Sequence, residues 1–146
     1  MGHIEATREL NARPDALWAL ISDPHTWDRW FTVHDRWTEE PPAVLTEGAK
    51  LTAKIVMLNM ANKIDWTVLS VDPPRGLVLG GTGMAGVRAE FRFTIEPVGE
   101  TAKFTVTGDF EGALVKGALG KAVEKDGMRQ LDKTLGQLDA LASAPI

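Results

Sequence analysis

Residues 87–142 read VRAEFRFTIEPVGETAKFTVTGDFEGALVKGALGKAVEKDGMRQLDKTLGQLDALA, and the spacing of their apolar side chains changes period once. Val87, Ala89, Phe91, Phe93 and Ile95 alternate with Arg88, Glu90, Arg92, Thr94 and Glu96. After a turn at Gly99, Phe104, Val106 and Phe110 alternate with Lys103, Thr105, Thr107 and Asp109. A period of two describes strands with one face buried. From about Ala113 to Ala142 the spacing becomes three-to-four, with Leu131, Leu135, Leu138 and Ala142 in register, which predicts one long amphipathic helix. Unbroken, it reaches roughly 40 Å at about 1.5 Å per residue, enough to cross a small domain.

Upstream the same alternation recurs. Residues 3–11 read as a first strand. Pro14 and Asp15 open a short helix, and Asp23-Pro24 repeats that signal before a second one at about 25–30. Phe31 to Trp37 reads as a short strand. Leu51, Ala53, Ile55 and Met57 form one face of the next, and Ile64, Trp66 and Val68 one face of another. Asp72-Pro73-Pro74-Arg75-Gly76 is a turn by composition, followed by a short strand at Leu77 to Leu79 that ends in glycines. Consecutive strands with short connections imply an antiparallel sheet of about seven strands. Each strand and the terminal helix have one apolar side needing cover, so each is the partner of the other. The expected class is α+β: a curved sheet wrapped around the C-terminal helix, with two short helices after the first strand.

The totals agree. The chain has 146 residues, 44% of them hydrophobic, so residues 1–146 are expected to form one domain that needs no staple. The net charge of −4 comes from intermixed acids and bases, which leaves no basic footprint for nucleic acid. There is no cysteine, hence no disulfide, thiol nucleophile or thiolate ligand. Met1 to Leu10 lacks a signal-peptide core, Met1-Gly2 is followed by Ala6 where a myristoylation site has Ser or Thr, and no apolar run approaches ~20 residues. A water-soluble cytoplasmic protein is expected.

Ala113, Gly117, Gly120 and Gly127 fall on one face of the long helix, which Leu131, Leu135 and Leu138 continue. Interior glycine costs a helix roughly 1 kcal/mol relative to alanine. Either backbone approaches backbone closely there (or the first half frays), or small side chains leave volume between helix and sheet. In the second case Trp66, Phe91, Phe110 and Leu114 line an apolar space, with Ile55, Met57 and Leu79 on the sheet's inward side. Glu124 shares that helix face and is either partly buried or wetted by a small rotation.

Gly81-Thr82-Gly83-Met84-Ala85-Gly86 matches G-x-G-x-x-G, but a period-two strand follows where dinucleotide binding requires a helix. It reads as a glycine-rich hairpin, and no cofactor is expected. His25 and Asp28 lack a further metal ligand, and no serine lies in G-x-S-x-G. His34, between Trp30 and Trp37, is either a rim histidine bonded to backbone or a pocket histidine that orients a ligand or moves a proton. Trp30 and Trp37 are expected at an entrance.

Ala12-Arg13-Pro14-Asp15-Ala16-Leu17-Trp18, Trp27-Asp28-Arg29-Trp30 and Asp72-Pro73-Pro74 resemble the START/Bet v 1-like (SRPBCC) superfamily in its polyketide cyclase/dehydrase branch. Phe31-Thr32-Val33-His34 with Trp37, Asn62-Lys63-Ile64-Asp65-Trp66-Thr67 and the Gly81–Val87 segment are similar to small mycobacterial proteins described as toxins of type II toxin–antitoxin pairs. The resemblance spans nearly the whole chain. It implies the helix-grip fold, a deep cavity between sheet and long helix, and Thr32, His34, Trp37 and Trp66 as cavity or rim residues. Three functions stay open. The first is binding of a hydrophobic or aromatic small molecule, lipid or polyketide-like. The second is a cyclase or dehydratase with His34 and Glu124 as its proton-transfer groups. The third is a toxin with an antitoxin-like protein partner. Both a monomer and a homodimer are compatible with the sequence.

Overall fold

The computed structural model describes residues 2–57, 60–83, 86–112 and 117–143, with backbone alone at Met57 and Met60. β1 (Gly2–Leu10) leads into α1 (Pro14–Ile21), a 3-10 turn (Pro24–Thr26) and α2 (Trp27–Trp30). Then come β2 (His34–Trp37), β3 (Lys50–Met57), β4 (Met60–Asp72), β5 (Gly76–Gly83), β6 (Arg88–Val98) and β7 (Thr101–Glu111). The chain ends in α3 (Gly117–Ala142). The seven strands make one antiparallel sheet in the order β1-β7-β6-β5-β4-β3-β2, so β1 and β2 are its edges. The architecture is the expected helix grip.

The start signals act as expected. Pro14 sits in the first turn of α1, and the Asp23 side chain accepts the His25 N–H at 3.0 Å. Three indole N–H groups then bond the connecting segment: Trp27 to the Ile21 carbonyl (3.0 Å), Trp30 to Thr26 Oγ1 (3.0 Å) and Trp37 to the Pro24 carbonyl (2.8 Å). The tryptophans thus place their apolar faces in the core and spend their polar edge on residues 21–26.

Register explains the glycines of the sheet. One inward row across the strands reads Gly2, Phe110, Ala89, Gly81, Trp66 and Leu51, and the next reads Ile4, Gly108, Phe91, Leu79 and Val68. Large rings lie beside small residues. A Cβ on Gly81 would fall 2.6 Å from Trp66 Cε3, and one on Gly108 2.8 Å from Phe91 Cε1. β5 and β6 pair antiparallel with Thr82 opposite Arg88, as the glycine-rich hairpin expected at Gly81–Gly86 requires, but the strand expected at Leu77–Leu79 runs on to Gly83. Gly81 leaves free the space that Trp66 and Ile64 occupy. The expected strand at Phe31–Trp37 also shortens. Phe31 caps α2, and pairing starts at His34. Bulges in β4 between Val68 and Ser70 and in β2 between His34 and Arg36 add local twist to the curled sheet.

α3 buries Val123, Leu131, Leu135 and Leu138, each worth about 1.5–3 kcal/mol on full burial. Gly120 and Gly127 are buried on the same face, whereas Gly117 is exposed at the helix start with φ +64°. Gly117 therefore turns the chain into the helix instead of belonging to the small-residue stripe. Ala113 and Leu114 lie outside the described residues. Alongside the buried stripe, α3 follows the free edge of β1. Glu124 accepts the His3 N–H (2.9 Å), Met128 Sδ the Glu5 N–H (3.1 Å), and Asp139 the Asn11 and Ala12 N–H groups (2.9 and 3.2 Å). Arg8 reaches Asp132. Side chains of the helix thereby satisfy an edge that would otherwise offer unpaired donors.

Candidate functional site

The inward side chains proposed to line a cavity converge. Trp66 meets Phe91 edge-on at 5.8 Å, and Phe91 meets Phe110 at 5.7 Å and Phe31 at 5.4 Å. Phe93 joins Phe31 at 5.5 Å to Trp30 at 5.8 Å, and Trp27 stands 5.8 Å from Trp30. Trp30, Trp66, Leu79, Phe91 and Phe110 are buried, and Ile55 is 8% exposed. The side chain of Met57 and all of Leu114 lie outside the described residues. Trp30 is not at an entrance. It is wholly buried because its ring packs among Trp27, Phe31 and Phe93 while its N–H is held by Thr26. Trp37 is half-buried, consistent with a rim.

Among the described residues, two openings are bordered by the expected site residues Thr32, His34 and Trp37. The first is a groove of about 500 Å³ between α3 and β3, bordered by Thr32, Val56, Asp126, Arg129, Gln130 and Lys133. Thr32 is its latch. Its N–H bonds to Thr134 Oγ1 at 3.1 Å, and its hydroxyl donates to the Gln130 carbonyl at 2.9 Å. With the Thr32 proton spent, Thr134 is the donor in the 3.1 Å contact between the two hydroxyls, which closes a cooperative circuit. The Gln130 amide spans the groove, donating to the Val56 carbonyl (3.0 Å) and to Asp126 (2.8 Å). Thr134 and Gln130 were not among the expected site residues. Their signal was two polar side chains within the leucine stripe of the helix.

The second opening is a polar cleft of about 340 Å³ at the β2 edge, reached by His34 and Trp37. His34 is 5% exposed, stands edge-on to Trp27 at 6.1 Å and lies 4.5 Å from the Trp37 ring. Among the described residues neither of its nitrogens has a hydrogen-bond partner. Burial pushes its pKa down to about 4, against the opposing charges of Asp28 and Asp35. At neutral pH the ring is uncharged, with one N–H and one lone pair unused. An unsatisfied buried group of this kind costs about 1–3 kcal/mol. This geometry removes the reading of a rim histidine bonded to backbone.

Glu124 does not join His34. It is half-buried at the β1 edge, whereas His34 belongs to β2 at the other edge of the sheet. The two form no acid–base pair. His25 pairs with Glu40 (2.8 Å) and Asp23 (3.4 Å), not with Asp28. Among the described residues no three His, Asp or Glu side chains converge as a metal site requires, and no helix is long and apolar enough to cross a membrane.

The sequence profile described as "Polyketide cyclase / dehydrase and lipid transport" matches residues 1–143. The chain belongs to this family. Two Mycobacterium tuberculosis proteins are similar to this member of the polyketide cyclase/dehydrase and lipid transport family. One, named an uncharacterized protein, is 24% identical over 141 residues, 97% of this chain and 99% of its own. The other, named a toxin, is 25% identical over 123 residues, 84% of this chain and 85% of its own. A crystal structure of a Chromobacterium violaceum protein superposes with a TM-score of 0.77 at 13% identity, covering 99% of both chains. That likeness shows the shared fold.

Proposed function

We propose that this protein binds an apolar or aromatic small molecule, lipid or polyketide-like, between the inner face of the sheet and α3. The observation that carries this reading is the unbroken aromatic run from Trp66 through Phe91, Phe31 and Phe93 to Trp30 and Trp27. Though buried against one another here, such rings would offer large contact area at low conformational cost to a molecule entering between sheet and helix. The family's description as lipid transport supports the ligand class. On this reading the groove at Thr32, Val56 and Gln130 is the mouth. Titration with a fluorescent fatty acid and an aromatic polyketide, read by probe and tryptophan emission, is expected to give saturable binding near one per chain. Absence of binding across fatty acids, phospholipids and aromatic polyketides, with tryptophan emission unchanged, would overturn it.

A second reading rests on the relative named a toxin. It makes this chain a growth inhibitor held in check by a small protein partner. Expression in the host is then expected to arrest growth, and normal growth at high expression rejects it. A cyclase or dehydratase would need another proton-transfer group beside His34, a role the placement of Glu124 does not support.

A further inference from the structure

We propose that the cleft at the β2 edge is a second binding site, one for a small protonated organic amine, with His34 as hydrogen-bond acceptor and Asp28 and Asp35 as the charges that hold it. The inference goes beyond the apolar site. It uses a different opening, different residues and the opposite chemistry.

Three features of the cleft converge on this ligand class. Carboxylates dominate it: Asp28, Asp35, Glu39 and Glu40 line it against the single guanidinium of Arg36. His25 is already engaged with Glu40 and Asp23, which leaves Asp28 and Asp35 as the acids closest in influence to the buried imidazole. Trp37 forms a wall, and an indole face attracts an ammonium group through its quadrupole. The independent observation is His34 itself: 5% exposed, lining the cleft, with both ring nitrogens unpartnered among the described residues. A neutral imidazole lone pair accepts from an ammonium N–H. An anion would meet the field of the carboxylates, and a neutral alcohol would hydrogen-bond to them without the charge attraction. The volume of about 340 Å³ sits at the small end for ligand sites. The nitrogens are covered in this structure, so the amine reaches them through a local rearrangement of the imidazole and its neighbours.

The test uses the full chain with benzylamine, benzyl alcohol and benzoate as probes of matched shape. NMR of the histidine rings and tryptophan emission are the readouts. Benzylamine is expected to move the His34 ring resonances. Benzyl alcohol is expected to bind about tenfold more weakly, and benzoate more weakly still. The double variant Asp28→Asn/Asp35→Asn alters two exposed side chains and should weaken the amine about fivefold to tenfold while leaving the fold and the fluorescent fatty acid unaffected. His34→Leu should abolish the amine's effect on tryptophan emission. The proposal fails if His34 does not respond at about 10 mM benzylamine, which would leave water as its only partner. It fails equally if the alcohol or benzoate binds as well as the amine, if the double variant binds as wild type, or if benzylamine competes with the fatty acid. Because the two probes report on separate openings, loss of fatty-acid binding alone removes the apolar reading and leaves this one standing.

Discussion

Replacing Thr134 by Val keeps shape and volume but removes the hydroxyl that ties α3 to the segment between α2 and β2. Thr134 is fully buried, and its oxygen accepts the Thr32 N–H at 3.1 Å while its proton goes to Thr32 Oγ1 at 3.1 Å. After the change the Thr32 N–H has lost its acceptor, which costs about 1–3 kcal/mol when water cannot replace it. Thr32 is partly exposed, so the lower half of that range applies: about 1–2 kcal/mol. At about 2–4 °C per kcal/mol for chains near this size, the melting temperature should fall by roughly 2–8 °C. Urea titration should show a lower midpoint with an unchanged slope, since the surface exposed on unfolding is the same. The double variant Thr32→Val/Thr134→Val should lose less than the sum of the singles, because one broken circuit cannot break twice. A loss below about 0.5 kcal/mol for Thr134→Val, or strict additivity in the double variant, would refute the circuit.

Gly108→Ala places a methyl 2.8 Å from Phe91 and 3.0 Å from Ile4. Overpacking of this kind should cost about 1–3 kcal/mol in urea titration. Asp139→Ala strips the acceptor from the Asn11 and Ala12 N–H groups; a loss of about 1–2 kcal/mol is expected, with faster hydrogen exchange at those two amides. Gln130→Ala opens the bridge to Val56 and should speed association of the fluorescent fatty acid in stopped flow, with little change in stability. For pH, the His34 pKa is lowered from 6.5 to about 4, so the unfolded chain binds the extra proton first. Stability should therefore fall as pH drops from about 6.5 to about 4, by at most about 1.4 kcal/mol per unit, and His34→Phe should flatten that slope. His3 and His25 are raised, chiefly by hydrogen bonds to Asp109 and Glu40. Their contribution is full below about 6.5 and is lost as pH rises above it, so its slope has the opposite sign and lies above the His34 window; His3→Gln and His25→Gln should remove it.

Periodicity located the sheet well because half-buried strands must alternate. The run ending at Ile95 is β6, Arg88–Val98, and the run at 103–110 is β7, Thr101–Glu111. The seven-strand total and the cover by the terminal helix followed from counting faces. What local sequence could not show was the tertiary use of glycine. The strand expected to stop at Leu79 runs on to Gly83, and at Gly81 a tryptophan on the neighbouring strand fills the space a side chain would take. Nor could spacing reveal the Thr32–Thr134 pair, 102 residues apart, or that His34 would be buried without a partner. Helical counting put Glu124 on the face of Gly127 and Leu131, but a face is broad. The stripe of Glu124, Met128 and Asp132 borders the buried one and meets the edge of β1.

That border makes the attachment of the helix lopsided. Along β1 it is stitched from Glu124 to Asp139, with the main-chain donors of His3 and Glu5 in the strand and of Asn11 and Ala12 just after it held by helix side chains. Toward β3 the described fastenings are the Thr32 latch and the Gln130 amide. A body fixed along one side and clasped on the other behaves as a door. Were it to part from the sheet, it would pivot about β1 and swing open at the Val56 side, and the stability of the hinge would be nearly independent of how often the clasp lets go.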